Sequence, residues 1–383
     1  MRIAINTRLL LPGRMDGIGW FAFETTRRMV AAHPEHRFVL LFDRKPATCD
    51  DPAWQRLLSA PNVESIVLCP QARHPVLWWL FFELSVPMAL RRCKADLYLS
   101  PDGMMPLRPK VPTLTVIHDL NFEHSGDNLR PSHQRYMRHF FPRFARAATR
   151  VATVSEYSKG DIAATYGIDS ERIDVVYDGA HDHYRPHTAE EQAATRQRFT
   201  GGAPYIIFVS TILRRKNLAN LLKAFDLVKA DDQRGLKLVV IGGRAWWADE
   251  LREAYDNMRH RDDVLLLGRA EPADLSALMS ASEMLVYPSY FEGFGIPILE
   301  AMYAETAVVC SHTTSMPEVG GDAALYADPA SPEDIAHAIK QLEDPTLRDE
   351  MIARGRRQRQ LFSWERSANL LWESIIKTKG GEG

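Results

Sequence analysis

Two doubly wound α/β halves are the fold class the sequence predicts, and three observations predict it. Short β-rich runs alternate with longer helical patterns along the whole chain, the signature of βαβ units around parallel sheets. Several of these runs are continuous and apolar, Phe-Val-Leu-Leu-Phe at 38–42 among them, as expected of strands covered on both faces. At 383 residues the chain is too long for one ordinary core and suits two.

In the first half the strand patterns fall at 3–7, 38–42, 96–100, 113–117, 151–154 and 173–177. After the first, Asp16-Gly17-Ile18-Gly19 precedes a helix with Ile18, Phe21, Ala22, Thr25 and Met29 on one face. The most apolar region, 76–90, contains Glu83 and Pro87 and is shorter than the ~20 apolar residues of a spanning helix, so a core or surface-seated helix is expected. Residues 130–150 set Arg130, Arg135, Arg138, Arg143, Arg146 and Arg150 among Tyr136, Phe140, Phe141 and Phe144, a basic aromatic helix. The stretch 181–204 is polar, holds Pro186 and the Gly201-Gly202 pair, and reads as the linker. In the second half the strand patterns are 205–210, 238–241, 264–267, 284–287 and 307–310. A last helix opens after Ser363 as N-cap, with Trp364, Ala368, Leu371, Trp372, Ile375 and Ile376 on one face, and a mobile tail is expected over 379–383. The division expected is 1–185, 186–362 and a helix at 363–378 able to pack back on the first domain.

Composition narrows the function. A chain 45% hydrophobic and 25% charged is neither collagen-like nor disordered nor a disulfide scaffold. Forty-seven basic against forty-nine acidic residues give no global excess that argues for nucleic acid. Cys49, Cys69, Cys93 and Cys310 form no Cys-x-x-Cys pair, which suggests neither a zinc site nor a disulfide framework and suits a reducing cytoplasm. Met1-Arg2 leads straight into a strand pattern without the apolar stretch of a signal peptide, so a cytoplasmic location is expected.

The richest motif follows the strand pattern at 284–287. Gly293 and Gly295 make a turn that allows close backbone approach to a ligand, and Pro297 suits the first position of a helix. A helix start of this kind, at Phe294-Gly295-Ile296, favours a phosphate. Glu292 in the loop and Glu300 in the helix cannot serve that phosphate and suit sugar and ribose hydroxyls instead. Arg214-Arg215-Lys216-Asn217 follows the strand at 205–210, where cations meet ligand at the carboxyl ends of parallel strands and can stabilise a leaving diphosphate. His118-Asp119 ends the strand at 113–117, at the corresponding edge of the other sheet. The Gly17 and Gly19 pair lacks the third glycine of a dinucleotide fingerprint, so no NAD is expected. No two aspartates stand two apart, and His181-Asp182-His183 reads as a polar hinge, so no catalytic metal is expected.

These residues together resemble the retaining glycosyltransferases of family 4, over nearly the whole chain. The resemblance rests on Glu292 and Glu300 in Glu-x7-Glu, His118-Asp119, the Gly17 to Gly19 loop, Val154-Ser155-Glu156-Tyr157-Ser158 and Val175-Val176-Tyr177-Asp178-Gly179. Arg215-Lys216-Asn217, Ile241-Gly242-Gly243 and Met316-Pro317-Glu318-Val319 complete it. A Ser-Pro-Asp-Gly run at 100–103 is similar to that of the bacterial surface-polysaccharide branch. The resemblance implies the GT-B fold, two Rossmann-like domains facing a cleft, with 1–185 on the acceptor side and 186–362 holding the donor. It implies catalytic roles for His118, at the reacting sugar, and Glu292, at its hydroxyls. Glu300 would hold the ribose, Gly293 and Phe294 the sugar and nucleotide, and Arg215, Lys216, Gly295 and Ile296 the phosphates, with Gly17, Gly19 and Asp119 in the cleft loop.

Two positions depart from the family pattern: Ser210-Thr211 stands where Gly-Arg is common, and Tyr303-Ala304-Glu305-Thr306-Ala307 replaces a small-residue, glycine and proline turn. The implied activity moves a sugar from GDP-mannose or a UDP-sugar to a glycan or lipid-linked acceptor in surface-polysaccharide synthesis, without cofactor and with retention, either free in the cytoplasm or peripheral on the inner face of the membrane. The basic aromatic helix would suit an anionic membrane surface, and equally a core helix with a solvated face. A nucleotide-sugar epimerase and a non-catalytic nucleotide-sugar-binding subunit are the alternatives.

Overall fold

The computed structural model describes residues 1–125, 129–243 and 249–380; the end of the expected tail, 381–383, lies outside them. The chain divides into two compact units, Met1–Asp178 with Trp364–Gly383, and Gly179–Ser363.

The first unit is built on seven parallel strands: β1 (Arg2–Asn6), β2 (Arg37–Phe42), β3 (Val63–Val67), β4 (Leu97–Ser100), β5 (Thr113–Val116), β6 (Arg150–Thr153) and β7 (Ile173–Val175). Their order is β3-β2-β1-β4-β5-β6-β7, with Ile3 opposite both Phe38 and Leu97. The second unit has six: β8 (Tyr205–Val209), β9 (Lys237–Ile241), β10 (Val264–Gly268), β11 (Met284–Tyr287), β12 (Ala307–Ser311) and β13 (Ala324–Ala327), in the order β10-β9-β8-β11-β12-β13. Both sheets reverse direction of growth beside their first strand, between β1 and β4 and between β8 and β11. At such switch points the connections diverge and leave a crevice at the strand carboxyl ends.

Each sheet carries a large apolar cluster packed against it. Phe81, Phe82, Tyr98 and Phe144 are buried in the first, and Phe208, Leu221, Phe225 and Ile339 in the second. The first helix, Gly17–Ala32, starts on Asp16, whose carboxylate accepts from the Gly19 amide at 3.0 Å. Gly17 and Gly19 therefore sit in the first helical turn and not in a loop, which corrects the expectation for both. A Cβ on Gly19 would lie 3.0 Å from the Leu9 carbonyl, so packing accounts for that glycine. The apolar region forms Pro75–Leu80 and Val86–Arg92, joined by a π-helical turn at Phe81–Ser85.

The stretch 181–204 is not a linker. Ala189–Thr200 is a helix with a complete capping box between Thr188 and Glu191, and Arg196 Nε donates to Ala281 O at 2.9 Å. Its face is polar because hydrogen bonds do much of the anchoring, so it carried little apolar pattern. The division falls at Gly179 rather than 186 because residues 181–184 are tied into the second unit: Ser276 Oγ donates to His183 O at 2.7 Å, and Tyr184 packs fully buried beside Glu300. The last helix, Trp364–Gly380, belongs to the first unit, with Trp364, Ala368, Leu371 and Ile375 buried. Trp372 stacks on His33 at 3.6 Å, whereas Ile376 is exposed.

Gly242 follows β9 at φ +153°, where a Cβ would stand 1.7 Å from the carbonyl oxygen of Ser210. No side chain can yield there, because the obstacle is backbone. Gly242→Ala should therefore lower unfolding stability by more than ~2 kcal/mol, against ordinary surface changes within about 0.5, as read by urea denaturation.

Candidate active site

The second unit gathers its functional residues at the carboxyl ends of β8 and β11. Beyond β8 the chain makes a tight turn at Arg214–Lys216, and Asn217 takes a left-handed conformation, φ 60°, before the helix Leu218–Lys229. Asn217 Nδ2 donates to the carbonyls of Pro288 at 2.9 Å and Pro329 at 2.6 Å. The Tyr290 amide donates to Arg215 O at 2.8 Å. These bonds lock the basic turn to the loop that follows β11.

Glu292 is the centre of this arrangement and is only 6% exposed. Its carboxylate accepts from Lys216 Nζ at 2.5 Å, Arg215 Nη1 at 3.0 Å and the Tyr287 hydroxyl at 2.8 Å. Lys216 also donates to the Tyr287 hydroxyl at 2.7 Å, and Arg215 to Phe291 O at 2.8 Å. Burial pushes the Glu292 carboxyl up, but Lys216 and Arg215 outweigh that and hold it down at about 2. A carboxylate offers about four acceptor positions, and Lys216, Arg215 and Tyr287 take three of them, with Ser289 also on the carboxylate. Two cations thus converge on one buried carboxylate.

The loop turns on Gly295 at φ +103°, and the helix Ile296–Tyr303 begins there with Pro297 in its first turn. Thr314 Oγ1 accepts from the Glu292 amide at 3.2 Å, and Ser315 Oγ lies 3.0 Å from Glu292 O and 2.9 Å from Phe294 O. The segment before Met316-Pro317 thereby fixes the glycine loop. At the other end of that short helix, Glu305 occupies the left-handed conformation, φ 58°, that a glycine would otherwise supply. Arg356 pairs with it at 2.5 Å. The departure at 303–307 thus leaves a closed turn.

Glu300 stands in a different environment, bonded to the buried Tyr184 hydroxyl and 4.0 Å from His181 Nε2. Burial pushes its carboxyl up to about 7, against the opposing Tyr184 bond. Burial, and then His183, bring His181 down to about 4, so its contact with Glu300 is one between a carboxyl and a neutral ring. Because the native carboxyl titrates above the ~4.3 of a free Glu, folding retains a proton. The resulting stability is full below about pH 4.3 and is lost as pH rises through about 7. Glu300→Gln should flatten that decline, changing the difference in unfolding free energy from wild type by up to about 3 kcal/mol between pH 4.5 and 7.5.

His118 and Asp119 lie in the first unit, just after β5. His118 Nε2 is 2.8 Å from the Pro101 carbonyl, and its ring meets Phe21 edge-on at 4.9 Å. Burial lowers the imidazole, which favours the neutral ring, though the Pro101 carbonyl and nearby carboxylates oppose it. Asp119 Oδ1 accepts from the Asn121 amide at 2.9 Å and shapes the turn. Sequence reasoning missed Tyr287, Tyr184, Thr314 and Ser315. Each had a neighbour that could have drawn notice: Tyr184 directly follows the polar His181-Asp182-His183 run, Tyr287 ends the strand pattern before the glycine loop, and Thr314 and Ser315 precede Met316-Pro317. Among the described residues no cluster of three or more His, Cys, Asp or Glu side chains could hold a metal.

Comparison with known proteins agrees across both units. The family model described as Glycosyltransferase Family 4 matches residues 15–184, and that described as Glycosyl transferases group 1 matches 190–358. The chain is 29% identical over 356 residues to O-antigen chain mannosyltransferase B of Escherichia coli, covering 92% of this chain and 93% of that protein. It is 27% identical over 288 residues to O-antigen chain mannosyltransferase RfbU of Salmonella typhimurium, covering 75% and 76%. The crystal structure of Anabaena Alr3699/HepE in complex with UDP and glucose superposes with a TM-score of 0.73 at 18% identity, over 98% of this chain and all of that one, which places the fold as GT-B. The two family models adjoin and between them take in every strand but β1, and the chain belongs to glycosyltransferase family 4.

Proposed function

We propose that the chain transfers a hexosyl group, with mannose from GDP-mannose as the first candidate and UDP-sugars as the next. The acceptor is a hydroxyl of a glycan or lipid-linked precursor in surface-polysaccharide assembly. The observation that carries this reading is the Glu292 node, in which a buried carboxylate organises Arg215 and Lys216 at a glycine-loop helix start. The names of the two mannosyltransferase relatives support the choice of sugar. In this reading the diphosphate sits against the positive end of the helix Ile296–Tyr303, at Gly295 and Ile296. Arg215 and Lys216 take up the charge that grows on it as the sugar bond breaks. Gly293 and Phe294 lie against the sugar and nucleotide, Glu292 accepts from a sugar hydroxyl, and Glu300 accepts from the ribose. His118 contacts the reacting sugar, and the acceptor arrives on the face that the diphosphate leaves, which retains configuration.

Titrating GDP-, UDP- and ADP-sugars by calorimetry tests the donor assignment. The expected result is GDP-mannose tightest, with binding weakened in Glu300→Ala. Equal, weak binding of all three would remove the donor assignment.

The lipid-linked acceptor has a physical counterpart on the first unit. The helix 131–147 buries Tyr136, Phe141 and Phe144, so its aromatic face belongs to the core. The apolar side chains that remain outside are Val76, Trp79, Leu84 and Met88, at 63, 44, 48 and 55% exposure along 75–92, beside exposed Arg91, Arg92 and Lys94. No helix among the described residues is long and apolar enough to cross a membrane. Such a face suits the boundary of an anionic bilayer. Trp79→Ser with Met88→Ser should reduce co-sedimentation with phosphatidylglycerol vesicles about tenfold while turnover on a soluble acceptor stays unchanged. Undiminished sedimentation would dismiss this face.

A further inference from the structure

We propose that the Ser-Pro-Asp-Gly turn after β4 is a positioning device for His118, in which Asp102 holds the Pro101 carbonyl where it fixes the imidazole as its Nε2–H tautomer. The inference rests on the reading of His118 as a sugar contact. Its observations are independent of that reading.

Asp102 is buried and its carboxylate is surrounded by donors. Oδ1 accepts from Asn6 Nδ2 at 2.9 Å, from the Met104 amide at 3.1 Å and from Ser100 Oγ at 3.1 Å. Oδ2 accepts from Arg8 Nε at 2.5 Å. Asn6 and Arg8 extend from β1 and Ser100 ends β4, so this clamp spans the switch point of the first sheet. The turn is fixed again on its far side. Gly103 has φ +80°, and a Cβ there would meet the Phe141 ring at 2.7 Å. Arg8 in turn lies over the Trp78 and Phe82 rings, 5.9 and 5.8 Å from their centroids.

Pro101 lies between these anchors, and its only hydrogen-bonding backbone group is the carbonyl that faces His118 Nε2 at 2.8 Å. A carbonyl can only accept, so Nε2 carries the proton. In a neutral ring Nδ1 is then the acceptor nitrogen. The clamp thereby defines what His118 offers a sugar: a lone pair on Nδ1 that receives a hydroxyl proton in a hydrogen bond. Phe21, edge-on to the ring, limits its rotation. Asn6, Arg8 and Asp102 are positioning residues, since they act through Pro101.

The test is nitrogen-15 NMR of the full chain labelled at histidine, with the His118 signals assigned by their loss in His118→Ala. Wild type should show the Nε2–H tautomer. Loss of Asp102 alone would strand the buried Arg8 charge and threaten the fold. The informative variants are therefore Asn6→Ala and the charge-neutral pair Arg8→Met with Asp102→Asn. Both should show mixed tautomers, a kcat at least tenfold lower and a donor KM within twofold of wild type. Asp174→Asn, which breaks the Arg150 ion pair elsewhere in the unit, should leave the tautomer unchanged. A pure Nε2–H tautomer in both informative variants would overturn the proposal. Normal turnover in His118→Ala would instead remove the sugar-contact reading and leave the tautomer result standing.

Discussion

Replacing Glu292 by alanine is expected to lower kcat/KM by about 30- to 1,000-fold, equivalent to roughly 2 to 4 kcal/mol of transition-state binding. Two losses combine. The sugar hydroxyl loses its acceptor, and Lys216 and Arg215 lose the anion that holds their charged ends at 2.5 and 3.0 Å. Glu292→Gln separates them, because the amide keeps one acceptor oxygen but cannot balance two cations, and its activity should fall nearly as far. Steady-state kinetics decide the matter, and wild-type turnover in Glu292→Ala would end the assignment.

Lys216→Ala is expected to reduce kcat about a hundredfold or more, the range seen when a preorganised charge is removed from a site of developing negative charge. Lys216 is 7% exposed, so water does not readily replace it. Its removal leaves Arg215 as the one remaining cation paired with Glu292 in this node, and the Glu292 carboxyl should move up toward the ordinary range. Lys216→Arg should restore activity only in part, since a forked guanidinium cannot reproduce bonds from one nitrogen to both Glu292 and Tyr287. Wild type should stay active in EDTA. Loss on chelation, restored by manganese, would contradict the assignment of charge stabilisation to these side chains.

The central strands were readable because burial on both faces demands continuous apolar residues, as in 38–42 and 205–209. β3 and β13 escaped for the converse reason. They are edge strands: Val-Glu-Ser-Ile-Val lacks a long apolar run, and Ala-Leu-Tyr-Ala is half alanine, which is depleted in strands. The helix Ala189–Thr200 was hidden by its polarity, although Thr188 and Glu191 carried its capping signal.

At the site, local motifs drew attention to Glu292, Glu300, Arg215 and Lys216. What spacing could not express is the joining of 215–216 to 292, some seventy-six positions apart, around one carboxylate. Tyr287 reads in sequence as a core aromatic at a strand end, and only the fold reveals its hydroxyl between Lys216 and Glu292. The contrast between the two glutamates was also beyond the sequence. Glu292 has two cations and is held at about 2, whereas Glu300 has a phenol and a neutral imidazole and is pushed up to about 7.

The most direct test follows the anomeric carbon through one turnover. GDP-mannose labelled with carbon-13 at C1 would be incubated with the full chain and a mannose-terminated acceptor in EDTA, and the products read by NMR. The account predicts GDP release in step with a new α-mannoside, the configuration of the donor retained. An inverted product, interconversion of the donor without transfer, or donor binding with neither hydrolysis nor transfer would contradict it.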